Sequence, residues 1–134
     1  MNNELRWKQR FSNLERAYKK FSAIVSIEKM GEIEKMALIH AFEFTFELAW
    51  KTLKDYLEEN GFEVNSPKET LRQAYQSDYI NNGEVWMNAL KKRNETTHLY
   101  NDEVLEATTR FIIDEFSPVV HEMYHSFKKE VERG

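Results

Sequence analysis

Residues 32–61 read EIEKMALIHAFEFTFELAWKTLKDYLEENG. From Met36 to Leu57 apolar side chains fall on nearly every side of an α-helix. A helix that is apolar all round must be enclosed by partners on all sides. This requirement limits the chain to folds in which other helices wrap around the second segment. The first segment supplies one such partner. Trp7, Phe11, Leu14, Tyr18, Phe21 and Val25 recur at spacings of 4, 3, 4, 3 and 4, the seam of an amphipathic helix. Gly31 is expected to end or kink that first helix, and Asn60 with Gly61 supplies the stop for the second.

The remaining segments carry their own boundaries. "SPKE" at 66–69 has the form of a capping box, with Ser66 as cap, Pro67 in the first helical position and Glu69 reaching back. It predicts a third helix of about three turns, ending at Tyr79 or Ile80. "NNG" at 81–83 is a turn, and a fourth helix is expected from Glu84 or Val85. Asn101 or Asp102 can cap a fifth, which carries Val104, Leu105, Phe111, Ile112 and Phe116 and then meets Pro118. A proline there removes a backbone donor and crowds the preceding turn, so the last helix should kink or break near Pro118. No strand-period alternation or repeat competes with this pattern. The expectation is all-α: an antiparallel up-down four-helix bundle with an additional short helix, residues 1–134 forming a single domain.

Composition excludes several function classes. With 134 residues the chain can bury one core without covalent staples. It has no cysteine, which removes disulfides, thiolate metal sites and cysteine nucleophiles, and suits a reducing compartment. The start MNNELRWKQRF has no apolar leader core, and no stretch approaches the roughly 18 apolar residues of a membrane helix. A cytoplasmic protein without a membrane partner is the expectation. The net charge of −4 argues against a general nucleic-acid coat, although a local basic patch can still hold a phosphate.

Three polar constellations stand out. "HEMYH" at 121–125 matches the zinc-protease pattern, with His121 and His125 on one helix face and Glu122 as base. Lys128 and Val131 occupy the positions where the extended motif needs glycine and a third histidine, so two surface histidines on an amphipathic helix explain it better, and no metal or cofactor is expected. A second set, His40, Glu43 and Glu47, lies at spacings of 3 and 4 on the second helix, with Lys51 at i+4 from Glu47. This set is either a solvated edge with one surface ion pair or a pair of carboxylates that orients an inward-facing cation.

The fourth helix carries such a cation. Trp86, Leu90, Arg93, Thr97 and Tyr100 follow at 4, 3, 4 and 3, so Arg93 and Tyr100 share a stripe with apolar anchors. A guanidinium in that stripe needs a carboxylate, a helix end or a bound anion. Pairing with Glu43 or Glu47 would satisfy it. His98 lies five residues beyond Arg93, about 140° around a regular helix at about 100° per residue. The two side chains converge only if the helix loosens near Thr96 and Thr97, or if two copies of the stretch face each other across a two-fold axis.

"AFEFTFELAWKTLKDYLEENG" (41–61), the short capped helix after it and "RNETTHLY" (93–100) together resemble the nucleotidyltransferase substrate-binding proteins, helical proteins of the HEPN superfamily and HepT type. The resemblance runs over residues 5–131, and Arg93, His98 and Tyr100 match the family pattern Arg-x4-His-x-Tyr. It implies a homodimer or higher homo-oligomer that works beside a small nucleotidyltransferase of the MNT type. Two roles follow from it. In one the protein is a metal-independent ribonuclease toxin, Arg93 and His98 are catalytic on an RNA phosphodiester, and the partner silences it by adenylylating Tyr100. In the other it is a non-catalytic subunit that holds substrate for the transferase. Asn94 is a candidate to orient His98 or contact the backbone, and Glu43 and Glu47 are candidates to support Arg93. The chain lacks any Gly-Ser dipeptide, so it does not carry the transferase signature itself.

Overall fold

The structure, a computed structural model, describes residues 3–95 and 101–133, with side chains from residue 5 onward. These residues form helices α1 (Asn3–Val25), α2 (Glu32–Glu59), α3 (Pro67–Gln76), α4 (Gly83–Asn94), α5 (Asp102–Phe111) and α6 (Ser117–Arg133). A π-helical turn, Ile112–Phe116, joins α5 to α6. No strand occurs among the described residues. Their fold is the expected helical bundle, with α3 as its short extra element.

The direction of each helix follows from which side chains meet. Arg6 and Arg10 of α1 reach Glu58 and Asp55 of α2, so these two helices run antiparallel. On its other side α1 meets α6 in reverse order: Trp7 contacts Phe127, Phe11 contacts Tyr124, and Phe21 contacts Phe116. The α5–α6 rod therefore lies parallel to α2, with Lys35 beside Glu106 and Tyr56 beside Phe127. As its composition requires, α2 is enclosed: Leu38, Phe42, Phe46, Ala49, Leu53 and Leu57 are fully buried. The exception is one strip, where Ile33, Met36 and Phe44 remain exposed.

Helix ends follow local chemistry, with three departures from the expected boundaries. α1 stops at Val25, where the Ser26 hydroxyl donates to the Ala23 carbonyl. Gly31 belongs to the next helix instead: it is the N-cap of α2, and its N–H donates to the Glu34 carboxylate at 2.9 Å. α3 ends at Gln76 rather than Tyr79 or Ile80, because Asp78 turns left-handed at φ 63. Tyr79 N–H then bonds the Ala74 carbonyl and Asp78 N–H the Tyr75 carbonyl, the paired bonds that close a helix C-terminus. Gly61, at φ 90, closes α2 in the same way through Phe62 N–H to Leu57 and Gly61 N–H to Glu58. α4 starts at Gly83 rather than at Glu84 or Val85, after Asn82 in the left-handed region. Ser66 caps α3 by accepting from Glu69 N–H at 3.1 Å, with Pro67 in the first turn. Asn101 caps α5 by accepting from Glu103 and Val104.

The irregularity expected at Pro118 is present, and its form is specific. Ser117 N–H reaches back five residues to the Ile112 carbonyl, so one extra residue is accommodated just before the proline. Pro118 has no N–H to give and its ring crowds the carbonyl four residues earlier. A widened turn at that point lets the helix resume without that clash. Phe116, the last residue of this turn, is fully buried. It packs edge-on or tilted against Phe21, Phe42, Phe46 and Trp86, with ring centroids 4.9–6.3 Å away.

A polar cluster ties α1 to α6. The Tyr124 hydroxyl donates to Glu15 at 2.5 Å and Lys128 donates to the same carboxylate oxygen at 2.7 Å. These two bonds, that from Lys128 first, hold the Glu15 carboxyl below its usual range. Burial, then the bond to Glu15, pushes the Tyr124 phenol up to about 12.

Truncating Phe116 to alanine removes a ring shared by three helices, and is expected to cost about 3–5 kcal/mol of stability in a urea titration. Tyr124 also gives the fold an alkaline limit. Its folded pKa lies above the ordinary 10.0, so the stabilisation is complete below that value and is lost as pH rises toward about 12. Melting temperatures recorded across this window should fall more steeply for the wild type than for Tyr124→Phe. Parallel curves would show that Tyr124 does not set the limit.

Candidate functional site

Arg93 occupies the last turn of α4, following Lys91 and Lys92. Three cations at a helix C-terminus are favoured by the partial negative charge of its unpaired carbonyls. That electrostatic preference accounts for Lys91, which is exposed. Arg93 does something further: its side chain is 30% exposed and leans across to α2. There Nη2 donates to Glu47 Oε1, and Nη1 donates to Asn94 Oδ1 at 3.1 Å.

Of the two carboxylates expected to support Arg93, Glu47 pairs with it. The second oxygen of Glu47 is also engaged. Trp50 Nε1 donates to Oε2 at 2.9 Å, and Lys51 Nζ stands 3.9 Å from the same atom. Glu43 is half-buried one turn earlier and His40 is exposed. Both border a small groove between the starts of α2 and α5 that also includes Glu32, Met36 and Asp102. The polar stripe of α2 thus has two parts, a wet end at His40 and a cation-holding end at Glu47.

Asn94 is exposed, and its side-chain oxygen accepts from Arg93. α4 ends at Asn94 with Glu95 as its cap, and α5 begins at Asp102. Thr96 and Thr97, near which loosening would let Arg93 and His98 converge, lie outside the described residues. His98 and Tyr100 lie outside the described residues. On the far side of α4, Asn88, Lys91, Lys92 and Glu95 face Arg110, Asp114 and Glu115 across a cleft of about 520 Å³. Its lining mixes both signs of charge.

The other motif, HEMYH, lies on α6 with His121, Glu122 and His125 all exposed. His121 Nδ1 is 2.5 Å from the Tyr18 hydroxyl, and the two imidazole centroids are 4.3 Å apart. The Glu122 carboxylate accepts from Asn81 of the α3–α4 turn. Among the described residues no group of three or more histidine, aspartate or glutamate side chains is arranged to hold a metal ion.

Sequence reasoning did not find Trp50 as a member of the site. Its signal was there, three residues after Glu47 on the same helix, but a tryptophan in so apolar a segment is first explained as packing. The Glu15–Tyr124–Lys128 cluster was also missed, because Glu15 is more than 100 residues from the other two.

The sequence profile described as "Nucleotidyltransferase substrate binding protein like" matches residues 9–129. Among solved structures, a crystal structure of a protein from Thermus thermophilus is similar, with 27% identity and a TM-score of 0.76. The match covers 82% of this chain and 94% of that one. No curated protein matches the sequence. No helix among the described residues is long and apolar enough to cross a membrane.

With both partners of the Arg93–Glu47 pair 30% exposed, solvent screens most of its Coulomb energy. Such a pair contributes about 0.2–1 kcal/mol. Arg93→Gln is therefore expected to shift unfolding free energy in urea by less than about 1 kcal/mol. A loss several times larger would assign Arg93 to holding the fold rather than to a site.

Proposed function

The chain belongs to the nucleotidyltransferase substrate binding protein like family, and from that premise we propose that it is the HepT-like partner of a small MNT-type nucleotidyltransferase. In this reading the protein is itself a ribonuclease. Arg93 and His98 act on an RNA phosphodiester, and the partner silences them by adenylylating Tyr100. The observation that carries the reading is the placement of Arg93. A guanidinium is held, partly exposed, at the end of α4 by a carboxylate on another helix, and the motif histidine and tyrosine follow it in the sequence.

The residue types suit the reaction. Histidine titrates near neutrality and can take the proton from a ribose 2′-hydroxyl. The 2′-oxygen then bonds to phosphorus, the bond from phosphorus to the 5′-oxygen breaks, and the leaving oxygen collects a proton. Arginine stays charged throughout and presents a planar fork to the phosphate, so it can offset the charge that grows on the phosphoryl oxygens. Lys91 and Lys92 add positive potential in a chain whose net charge is −4. Adenylylation would transfer AMP from ATP to the Tyr100 phenol oxygen with release of pyrophosphate. It would leave a bulky anion two residues from His98, placed to compete with RNA for Arg93.

The reading includes a homodimer or higher homo-oligomer. Ile33, Met36 and Phe44, exposed on the helix that carries Glu43 and Glu47, give α2 an apolar strip for a second copy to cover. A two-fold contact there would bring two copies of the Arg93 region to one cleft. The family description itself favours a second reading, in which the chain holds a substrate for the transferase and cuts nothing.

Two measurements separate the readings. Purified protein should cleave RNA in the presence of a chelator, and Arg93→Ala and His98→Ala should each lower the rate at least about 100-fold while keeping the helical circular-dichroism spectrum. Equal cleavage by wild type and both variants removes the catalytic roles. After co-expression with the transferase, intact mass should show one or more added adenylyl units that vanish in Tyr100→Phe. An unmodified chain that co-purifies with the transferase and cuts no RNA establishes the second reading.

A further inference from the structure

The carboxylate that holds Arg93 is itself held in place. Glu47 divides its two oxygens between two helices: Oε1 accepts from Arg93 on α4, while Oε2 accepts from Trp50 Nε1 at 2.9 Å, with Lys51 Nζ 3.9 Å away. Trp50 and Lys51 follow Glu47 by three and four residues, so all three lie over one turn of α2. Trp50 is packed against the hydrophobic core, which makes its indole N–H a fixed donor rather than a swinging one. An ordinary surface ion pair leaves both long side chains to sample many rotamers. Here one partner is pinned, on a rigid helix, before any ligand arrives.

We propose that Glu47, fixed by Trp50, is a positioning residue that orients the Arg93 guanidinium toward a phosphodiester. The inference rests on reading Arg93 as the group that grips phosphate. An arginine side chain has several rotatable bonds, and ordering them when substrate binds costs free energy that a prearranged partner removes. A carboxylate on a neighbouring helix does this by fixing the direction of the guanidinium, whose five N–H donors form a rigid planar fork. Asn94, accepting from Nη1 at 3.1 Å, restrains the other arm.

The sign of one measurement decides between this role and simple charge. If Glu47 only neutralised Arg93, removing its charge would strengthen phosphate binding. If Glu47 positions Arg93, removing it weakens binding although a negative charge has gone.

The experiment measures the dissociation constant for a non-cleavable 2′-O-methyl oligoribonucleotide, together with kcat and KM on the cleavable strand of the same sequence. The proteins are wild type, Glu47→Gln, Trp50→Phe, Arg93→Gln and the Arg93→Gln/Glu47→Gln double variant, each checked by thermal melt. Glu47→Gln is expected to bind about tenfold more weakly and to lose more in kcat than it gains in KM, since small misplacements of a positioned group are costly. Trp50→Phe should move the same way by a smaller factor. The double variant should be no weaker than Arg93→Gln alone, because Glu47 acts only through Arg93. Unchanged or tighter binding by Glu47→Gln and Trp50→Phe, with normal melts, overturns the proposal. If wild type cuts RNA and Glu47→Gln cuts and binds equally well, positioning falls and the ribonuclease reading stands. If wild type binds without cutting and the affinities keep the expected order, positioning stands and the ribonuclease reading falls. A wild type that neither binds nor cuts overturns both.

Discussion

Phe116 is where the bundle is joined. Its ring meets Phe21 of α1, Phe42 and Phe46 of α2, and Trp86 of α4, and it is fully buried among them. Aromatic rings contribute large apolar area, and edge-to-face contacts add to it without polar groups that need partners. The ring lies at the end of the π-helical turn that precedes Pro118. A residue that disturbs the helix and a residue that anchors the core are thus two positions apart. The backbone adjusts at the turn, which packing on three other helices stabilises.

The functional region depends on this core indirectly. α2 is fixed on most of its surface, so the face it leaves uncovered, which carries Glu47 as well as the exposed Ile33, Met36 and Phe44, becomes a rigid platform. Glu47 projects from that platform, pinned by Trp50, and α4 is placed by Trp86 so that its last turn reaches Glu47. The pair contributes little to stability because it is partly solvated. Its value lies in geometry: a side chain at a helix end, where a chain normally frays, is tied to the most deeply enclosed helix in the molecule. On the opposite side the Glu15–Tyr124–Lys128 cluster closes α1 onto α6, at a distance from these groups in the sequence.

Much of this was legible in the residues. The all-round apolarity of 36–57 required a helical enclosure, and the 4-3-4-3-4 seam of the first helix named Trp7, Phe11, Leu14, Tyr18, Phe21 and Val25 as core residues, of which the first five are buried and Val25 is partly buried against them. Local stops and caps at Ser66, Pro67, Asn101 and Gly61 worked as written, because each acts through its own neighbours. Errors fell where a residue has more than one local use. Gly31 was expected to close the first helix and instead opens the second. Asp78 ends α3 early through a left-handed conformation that aspartate tolerates but does not advertise. The candidate site was partly legible: Arg93 stood out as a cation in an apolar stripe, with Glu43 and Glu47 as two equivalent candidates to satisfy it.

Sequence alone determined the helical class, the core-facing residues and the identity of the polar groups that break the apolar pattern, since periodicity and capping are properties of short stretches of chain. It also placed the chain beside the nucleotidyltransferase substrate-binding proteins, through residues that match as a pattern. Only the tertiary structure paired Glu47 with Arg93, brought Trp50 to the same carboxylate, and turned the disturbance at Pro118 into a π turn ending at Phe116. Those choices depend on how far apart, and at what angle, two helices lie. No single helix contains that information; it arises when all of them compete to cover α2.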